Sequence, residues 1–208
     1  MTNQTENTKK TQADSHFLFL DYETGGLNGR IEGGELGCES YPIFEVAAII
    51  ADSQLNEVGE PIRIVINQSE DSIAMASDWA INTHTDSGLL DEVRTSTITL
   101  RDAELKILEE LKSRGIGKYC RKTFTGAILA GSSVAFDRSY MMAQMPELSD
   151  YLHYRQVDVS SVNILARVFK PQVAERVVKE YKHEALSDVR ETIEELRFYK
   201  QQIFQPEK

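Results

Sequence analysis

The chain has 208 residues, of which 41% are apolar, so it is long enough to bury one sizeable core as a single domain. Its 23 basic and 33 acidic residues give a formal net charge of −10, which disfavours a protein that coats nucleic acid by neutralising many phosphates. An acidic enzyme can still act on phosphates when divalent metals bridge its carboxylates to the substrate.

The terminal regions and the cysteines narrow the class of protein further. The N-terminus is polar and no run approaches about 18 consecutive apolar residues, so we expect neither a signal peptide nor a membrane span and predict a cytoplasmic protein. Cys38 and Cys120 lie in no metal-binding motif, and we interpret both as free thiols. Residues 1–15 lack hydrophobic periodicity and predict a disordered tail, followed by one domain over residues 16–208.

The first half of the domain is predicted to form an antiparallel meander. The apolar run at residues 17–20 predicts a buried strand that ends in a polar turn at residues 21–26. Two β-rich runs, Ile43–Ala51 and residues 62–67, predict the next strands. The glycine-rich segment at residues 27–41 predicts a long flexible excursion between the first two strands.

Helices and strands alternate in the rest of the sequence. The patterns predict helices at residues 72–81, 100–112, 136–145 and 161–169, strands at residues 126–131 and 154–158, and a long terminal helix that carries Ala185, Val189, Ile193, Leu196 and Ile203. A meander followed by such alternation predicts an α/β fold with a mixed sheet, first antiparallel and then parallel, flanked by helices.

Three acidic residues in the first two thirds of the chain are candidates for a metal site. Asp21 and Glu23 lie two residues apart, so on a strand they share one face and could hold one cation between them. Asp137 follows a glycine-serine turn at the start of a predicted helix. The alternative for Asp21 and Glu23 is a solvated pair on the surface. The alternative for Asp137 is a carboxylate in the first turn of a helix that is favoured only by the helix dipole.

A histidine and a fourth carboxylate lie near the C-terminus. His183 and Asp188 are five residues apart, about 140° around a helix, so they cannot form an i, i+4 metal-binding pair on one face. We expect His183 on the loop that enters the terminal helix and Asp188 one turn inside it. A solvated histidine and a surface carboxylate on an acidic helix fit the same spacing equally well.

Taken together, the four carboxylates and the histidine suggest phosphoester hydrolysis. Mg²⁺ prefers hard oxygen ligands, and a two-metal site can activate the attacking water while it stabilises the leaving oxygen. A histidine with an ordinary pKa near about 6.5 suits the role of general base. The sequence contains no Walker loop, no Gly-x-Ser-x-Gly and no dinucleotide-binding glycine motif.

The order of these residues resembles the DEDDh exonucleases, whose fold is ribonuclease H-like, and most of all their oligoribonuclease members. The likeness extends from about residue 17 to residue 196 and includes Asp78-Trp79, Thr83-His84-Thr85, Ser87-Gly88-Leu89, Met145-Pro146-Glu147-Leu148, His153-Tyr154-Arg155, Asp158-Val159-Ser160, Lys170-Pro171 and Asp188-Val189-Arg190-Glu191. The resemblance implies a 3′-5′ exoribonuclease that degrades short single-stranded oligoribonucleotides to 5′-mononucleotides. It also implies that Asp21, Glu23, Asp137 and Asp188 bind two Mg²⁺ or Mn²⁺ ions and that His183 is the base.

The same resemblance implies a substrate pocket and a homodimer. Leu27 and Trp79 would contact the bases, His84 would reach the 3′ end, Ser133, Arg155 and Ser160 would hold the 5′ phosphate, and Tyr154 would come from the partner subunit. Aromatic stacking is indifferent to base identity, and arginine suits bidentate phosphate contact. Core packing is the alternative for Trp79 and Tyr154.

Two other functions are compatible with the sequence. Asp21-Tyr22-Glu23-Thr24 is closer to exonuclease I, and the segments at residues 28–41 and 119–125 look longer than their equivalents in the oligoribonucleases. A DEDDh exonuclease that acts on longer single-stranded DNA or RNA is therefore one alternative. The other is a nucleic-acid-binding module without turnover, which the complete set of carboxylates and histidine disfavours.

Overall fold

The computed structural model describes residues 15–123, 125–177 and 185–204. The strands are β1 (Phe17–Thr24), β2 (Ile43–Ala51), β3 (Ile62–Val65), β4 (Ile128–Gly131) and β5 (Gln156–Asp158). They form one sheet in the order β3-β2-β1-β4-β5. β1, β2 and β3 pair antiparallel, whereas β4 is parallel to both β1 and β5. The predicted α/β class, an antiparallel meander followed by parallel strands, is confirmed.

Helices cover both faces of this sheet. They are α1 (Gly37–Ser40), α2 (Glu70–Ile73), α3 (Asp78–Asp86), α4 (Leu89–Thr95), α5 (Leu100–Ser113), α6 (Ala135–Gln144), α7 (Pro146–Tyr151), α8 (Val159–Phe169), α9 (Pro171–Ala174) and α10 (Ala185–Tyr199), after which Lys200–Phe204 form a π-helical turn. No helix within the described ranges is long and apolar enough to cross a membrane.

The alternation of side chains along β1 determines where the acidic residues point. Leu20 and Tyr22 belong to the core cluster that includes side chains of α5, α6 and α7, whereas Phe19 packs in the cluster with side chains of α10. Because successive side chains of a strand face opposite sides, Asp21 and Glu23 lie on the same side as Phe19. The strand that builds the core therefore also presents two carboxylates towards α10.

The first strand is longer than the sequence predicts. Residues 21–24, predicted to lie in a polar turn, continue β1 and pair with β2. A shift in register between Glu23 and Thr24 marks a β-bulge at the end of this pairing. The prediction was wrong because long-range pairing with an apolar neighbour strand outweighs local polarity.

The remaining boundaries differ from the prediction in modest ways. The helix predicted at residues 72–81 is two helices, because Ser77 accepts a hydrogen bond from the Ala80 N–H and begins α3 as its N-cap. The strands predicted at residues 62–67, 126–131 and 154–158 are each shorter, and α4, α7 and α9 were not predicted. The prediction for α5 is confirmed to within one residue.

The glycine-rich segment at residues 27–41 has a defined conformation. Arg30 and Leu36 form an antiparallel bridge, and α1 follows directly. A Cβ atom on Gly37 would lie 1.9 Å from the backbone oxygen of Leu27, so only glycine allows this close approach. Gln144 of α6 donates hydrogen bonds of 2.8 Å to two backbone carbonyls of the segment. The segment predicted as a flexible excursion is thus attached to α6.

Two other predictions concern the ends and the thiols. Of the tail predicted at residues 1–15, all but Ser15 lies outside the described residues. The single domain over residues 16–208 stays a prediction. Cys38 is buried, Cys120 is exposed, and both are free thiols as predicted.

Candidate active site

The four predicted metal-ligating carboxylates come together near the end of β1. Asp21 and Glu23 project from β1, Asp137 lies in the first turn of α6, and Asp188 lies in the first turn of α10. Asp137 is only 2% exposed. Asp188 interacts electrostatically with both Asp21 and Glu23, and Asp137 with both as well. The structure therefore brings together residues that are up to 167 positions apart in the chain, from Asp21 to Asp188 (188 − 21).

Asp137 is fixed in place by the backbone of β1. The parallel ladder between β1 and β4 reaches Phe19, which pairs with Ala130. Beyond the ladder, the backbone N–H of Tyr22 donates a 3.0 Å hydrogen bond to Oδ1 of Asp137. An N–H group of the strand thus stabilises the carboxylate of the helix. The start of α6 is in this way aligned with Asp21 and Glu23.

Burial and mutual repulsion raise the pKa values of these carboxyl groups. Burial raises the pKa of Asp21 most, and the charges of Glu23 and Asp188 add to it. Burial, then the charges of Glu45, Asp188 and Asp137, raise the pKa of Glu23 to about 7. Burial and the charge of Asp21 also raise the pKa of Asp137. Each ionised carboxylate here disfavours ionisation of its neighbours.

The chemistry of this group fits divalent cations. Buried or partly buried carboxylates that repel one another need positive charge nearby to remain ionised. Carboxylate oxygens are ligands that Mg²⁺ and Mn²⁺ prefer. In the described ranges, no three His, Cys, Asp or Glu side chains are arranged as a formed metal cluster. The carboxylates are thus within electrostatic range of one another but not in a shared ligating geometry.

His183 lies in residues 178–184, outside the described residues. Its predicted place on the loop before the terminal helix, and its role as base, stay predictions. Asp188 is in the first turn of α10, as predicted.

A fifth carboxylate, which the sequence analysis missed, lies beside the group. Glu45 of β2 is the cross-strand partner of Glu23 and is 4% exposed. Its carboxylate forms a 2.6 Å ion pair with Arg63 of β3, and Arg63 also donates two hydrogen bonds to Glu92. The sequence contains a pattern that points to this residue, because Glu45 is the one charged residue in the otherwise apolar nine-residue strand β2. Arg63 thus supplies positive charge next to the carboxylate group.

A cavity of about 910 Å³ opens next to Glu23. Its lining includes three residues predicted to contact substrate, Leu27, Trp79 and His84, and part of the segment at residues 27–41. Leu27 and Trp79 are 76% and 66% exposed. Core packing, the alternative considered for Trp79, is therefore wrong, and both side chains are accessible to a nucleobase.

His84, unlike Leu27 and Trp79, is buried in this lining. Its Nε2 atom lies 3.2 Å from the backbone oxygen of Thr24 and 3.9 Å from a carboxylate oxygen of Glu23. A carbonyl oxygen only accepts hydrogen bonds, so Nε2 carries the proton in this contact. Burial lowers the pKa of His84, which favours the neutral ring. The contact holds the imidazole at the end of β1, inside the cavity.

The residues predicted to bind the 5′ phosphate are only partly brought together. The hydroxyl oxygens of Ser133 and Ser160 lie 3.3 Å apart, and Ser133 has a strained φ of 52°. The backbone N–H groups of both serines donate to Oδ1 of Asp158. Because these N–H groups are already bonded, a phosphate at this position would be bound by the serine hydroxyl groups and by a positively charged group. Arg155 and Tyr154 are exposed, and the guanidinium of Arg155 lies over the ring of Tyr154.

Comparison with known proteins identifies the family. A family model described as Exonuclease matches residues 18–196. The chain is 36% identical to an oligoribonuclease of Vibrio parahaemolyticus. The alignment extends over 195 residues, which are 92% of this chain and 97% of the relative. It is 40% identical to an oligoribonuclease of Rhodococcus jostii over 191 residues, which are 91% of this chain and 88% of that relative. The chain belongs to the oligoribonuclease family of exonucleases. The prediction of a 3′-5′ exoribonuclease is confirmed at this level.

Solved structures of exonuclease I share the fold. A complex of Escherichia coli exonuclease I with a 5cy-dT13 oligonucleotide has a TM-score of 0.66 at 19% identity and covers 91% of this chain. The zinc ion bound form of an Escherichia coli exonuclease I complex with single-stranded DNA has a TM-score of 0.67 at 19% identity and covers 92%. The chain spans 41% and 42% of those chains. The similarity confirms the predicted ribonuclease H-like fold.

The ion pair beside the site leads to a stability prediction. Arg63→Ala removes the 2.6 Å ion pair of buried Glu45, and we expect the free energy of unfolding to fall by about 2 kcal/mol, less than for a fully buried pair because Arg63 is partly exposed. Urea denaturation measures this loss. Arg94→Ala, which removes an ion pair with exposed Glu70, is the control and should lose much less. Equal losses in the two variants would contradict the role assigned to Arg63.

Proposed function

We propose that the protein hydrolyses short single-stranded RNA from the 3′ end and releases 5′-mononucleotides with the help of two divalent cations, Mg²⁺ or Mn²⁺. The observation that carries the proposal is the convergence of Asp21, Glu23, Asp137 and Asp188 beside a cavity of about 910 Å³ with Trp79 exposed in its lining. A metal requirement also has support from the exonuclease I complex described as zinc ion bound.

The four carboxylates would hold the cations, while other groups of the chain orient a ligand and accept a proton. Cations held there would supply positive charge to polarise the scissile phosphate and stabilise the leaving oxygen. Asp137 keeps its orientation through the N–H of Tyr22. His183 accepts the proton of the attacking water, since a histidine titrates near neutral pH. The water oxygen bonds to phosphorus as the bond between phosphorus and the O3′ of the preceding nucleotide breaks. That O3′ takes up a proton from solvent, and the released product carries the phosphate on its 5′ oxygen.

The substrate contacts favour short strands. Leu27 and Trp79 are exposed in the cavity lining and can contact bases without regard to their identity. Ser133, Ser160 and Arg155 would bind a terminal 5′ phosphate. The net charge of −10 offers no general attraction for a long polyanion outside the metal site. Short 5′-phosphorylated oligomers are therefore the preferred substrates.

We propose further that the enzyme is a homodimer. Helix α8 exposes four large apolar side chains, Ile164, Leu165, Val168 and Phe169. Contiguous exposed apolar side chains mark interaction surfaces. A second copy of the chain is the occupant that the pocket requires, because Tyr154, exposed just before the strand that leads into α8, would complete the partner subunit's site. An interface of this kind with twofold symmetry completes both sites at once.

The first prediction from the proposed function concerns a metal-ligating carboxylate. Asp137→Asn should lower kcat/KM by at least about 10³-fold, because a lost ligand costs several kcal/mol of charge stabilisation. The chain has a single tryptophan, Trp79, so fluorescence quenching by a dinucleotide should show that the variant still binds substrate. Asp150→Asn, at an exposed position of α7, is the control. A folded Asp137→Asn variant with wild-type activity in Mg²⁺ would overturn the two-metal assignment.

The second prediction concerns the 5′ phosphate and substrate length. Arg155→Ala should lower kcat/KM for a 5′-phosphorylated dinucleotide about tenfold by removing a charge-assisted contact, and should hardly change it for the unphosphorylated counterpart. Lys106→Ala, which removes an exposed positive charge on α5, controls for net charge. If a dinucleotide and a twenty-nucleotide strand have comparable kcat/KM values and Arg155→Ala has no effect, the enzyme is instead an exonuclease for longer strands.

The third prediction concerns the dimer. Wild-type protein should sediment as a dimer in dilute buffer, and Leu165→Asp should sediment as a monomer of low activity, because a charge in an apolar interface is not compensated. Leu105→Asp, at an exposed leucine of α5, should remain a dimer. A wild-type monomer with full activity would remove the role of Tyr154 in the partner's site.

A further inference from the structure

Three aromatic side chains form a stack near the start of β5, and we call Tyr119, His153 and Tyr154 the aromatic stack. The rings of His153 and Tyr154 are nearly parallel, with centroids 4.8 Å apart and an interplanar angle of 19°. The ring of Tyr119 packs edge-on against both, at 4.6 Å from His153 and 5.5 Å from Tyr154. The guanidinium of Arg155 lies 5.3 Å from the centroid of the Tyr154 ring. Tyr119 therefore contacts the side chain on which Arg155 rests.

The backbone around Tyr119 holds its ring in this position. The N–H of Tyr119 donates a 2.8 Å hydrogen bond to the carbonyl of Tyr151, and a bridge between Cys120 and Thr125 closes the following loop. Gly126 has a φ of 100°, and a Cβ atom there would lie 2.8 Å from Cα of Tyr119. Glycine is thus required for the chain to return so close to Tyr119. These contacts hold Tyr119, the first residue of the segment that is long for this family on sequence grounds, in one defined place.

The ring of His153, which contacts both tyrosine rings, is also held in position. The backbone N–H of Arg155 donates a 2.9 Å hydrogen bond to Nδ1 of His153, and the N–H of His153 donates to the carbonyl of Ala127. A nitrogen that accepts a hydrogen bond carries no proton, so His153 is in its neutral form in this arrangement. Burial, with the charges of Arg155 and Arg138, lowers the pKa of His153. The stack therefore adds no positive charge of its own beside Arg155.

We propose that Tyr119 is a positioning residue: it packs against the ring of Tyr154 and through that ring orients the guanidinium of Arg155 for the 5′ phosphate of the substrate. Tyr154 and Arg155 are exposed, and exposed side chains lose rotamer entropy when a ligand orders them. A ring that orders them before binding lowers this cost. The proposal rests on the proposed function, because it assumes that Arg155 contacts the phosphate.

The expected size of the effect follows from the ring contacts. Aromatic pairs contribute about 0.5 to 1.5 kcal/mol, which corresponds to about 2- to 13-fold in affinity. Tyr119→Ala should therefore raise KM for a 5′-phosphorylated dinucleotide by about 3- to 10-fold and leave kcat unchanged. KM for the unphosphorylated dinucleotide should not change. Tyr119→Phe, which keeps the ring, should behave as wild type.

Two controls separate positioning from folding. Cys120→Ala, at an exposed neighbouring position, should have wild-type kinetics, and thermal unfolding midpoints should show that all variants are folded. If Tyr119→Ala does not fold, Tyr119→Leu replaces it, because leucine fills space without an aromatic face. A rise in KM that is equal for the phosphorylated and unphosphorylated dinucleotides would overturn the proposal.

A double-mutant cycle tests whether Tyr119 acts through Arg155. If it does, the KM of the Tyr119→Ala/Arg155→Ala variant should equal that of Arg155→Ala alone. Independent, multiplying effects would overturn the positioning role. An effect of Arg155→Ala without any effect of Tyr119→Ala would overturn this inference and leave the proposed function intact. If Arg155→Ala has no phosphate-dependent effect, the proposed 5′-phosphate contact and the inference both fail.

Discussion

The repulsion among the buried and partly buried carboxylates at the end of β1 is the constraint on which the site depends. Burial and like charge both disfavour ionisation here, so neighbouring groups must supply favourable interactions. The N–H of Tyr22 stabilises Asp137, and Arg63 neutralises Glu45 beside Glu23. The same unfavourable electrostatics would make cation binding strongly favourable. A group that is costly in the protein alone is thus suited to hold divalent metals.

The position of β1 in the centre of the sheet explains how distant residues reach one place. One side of the strand packs on α5, α6 and α7, and the other packs on α10. Helix α6 brings Asp137 to the end of the strand, and α10 brings Asp188. Each helix is positioned by burial of its apolar face, which is the main source of stability in such layers. The same packing that forms the core therefore assembles the site.

Two segments outside the sheet and its large helices contribute to the proposed substrate contacts. The segment at residues 27–41 forms part of the wall of the cavity next to Trp79, and its attachment to α6 through Gln144 gives that wall a fixed position. Tyr119, at the start of the second segment, packs against the side chains that precede β5. In an acidic protein with little general attraction for a polyanion, we propose that such local contacts select the nucleic-acid strands that bind.

The sequence by itself determined the fold class and the family, and it singled out the four carboxylates that the structure brings together near the end of β1, because periodicity, spacing and short motifs are local properties of the chain. The role of His183 remains a prediction from the sequence. Only the tertiary structure decided the extension of β1 through Glu23, the burial of Glu45 against Arg63, and the contact of Tyr119 with Tyr154. These features depend on pairing and packing between residues far apart in the chain, and local preferences carry little information about such contacts.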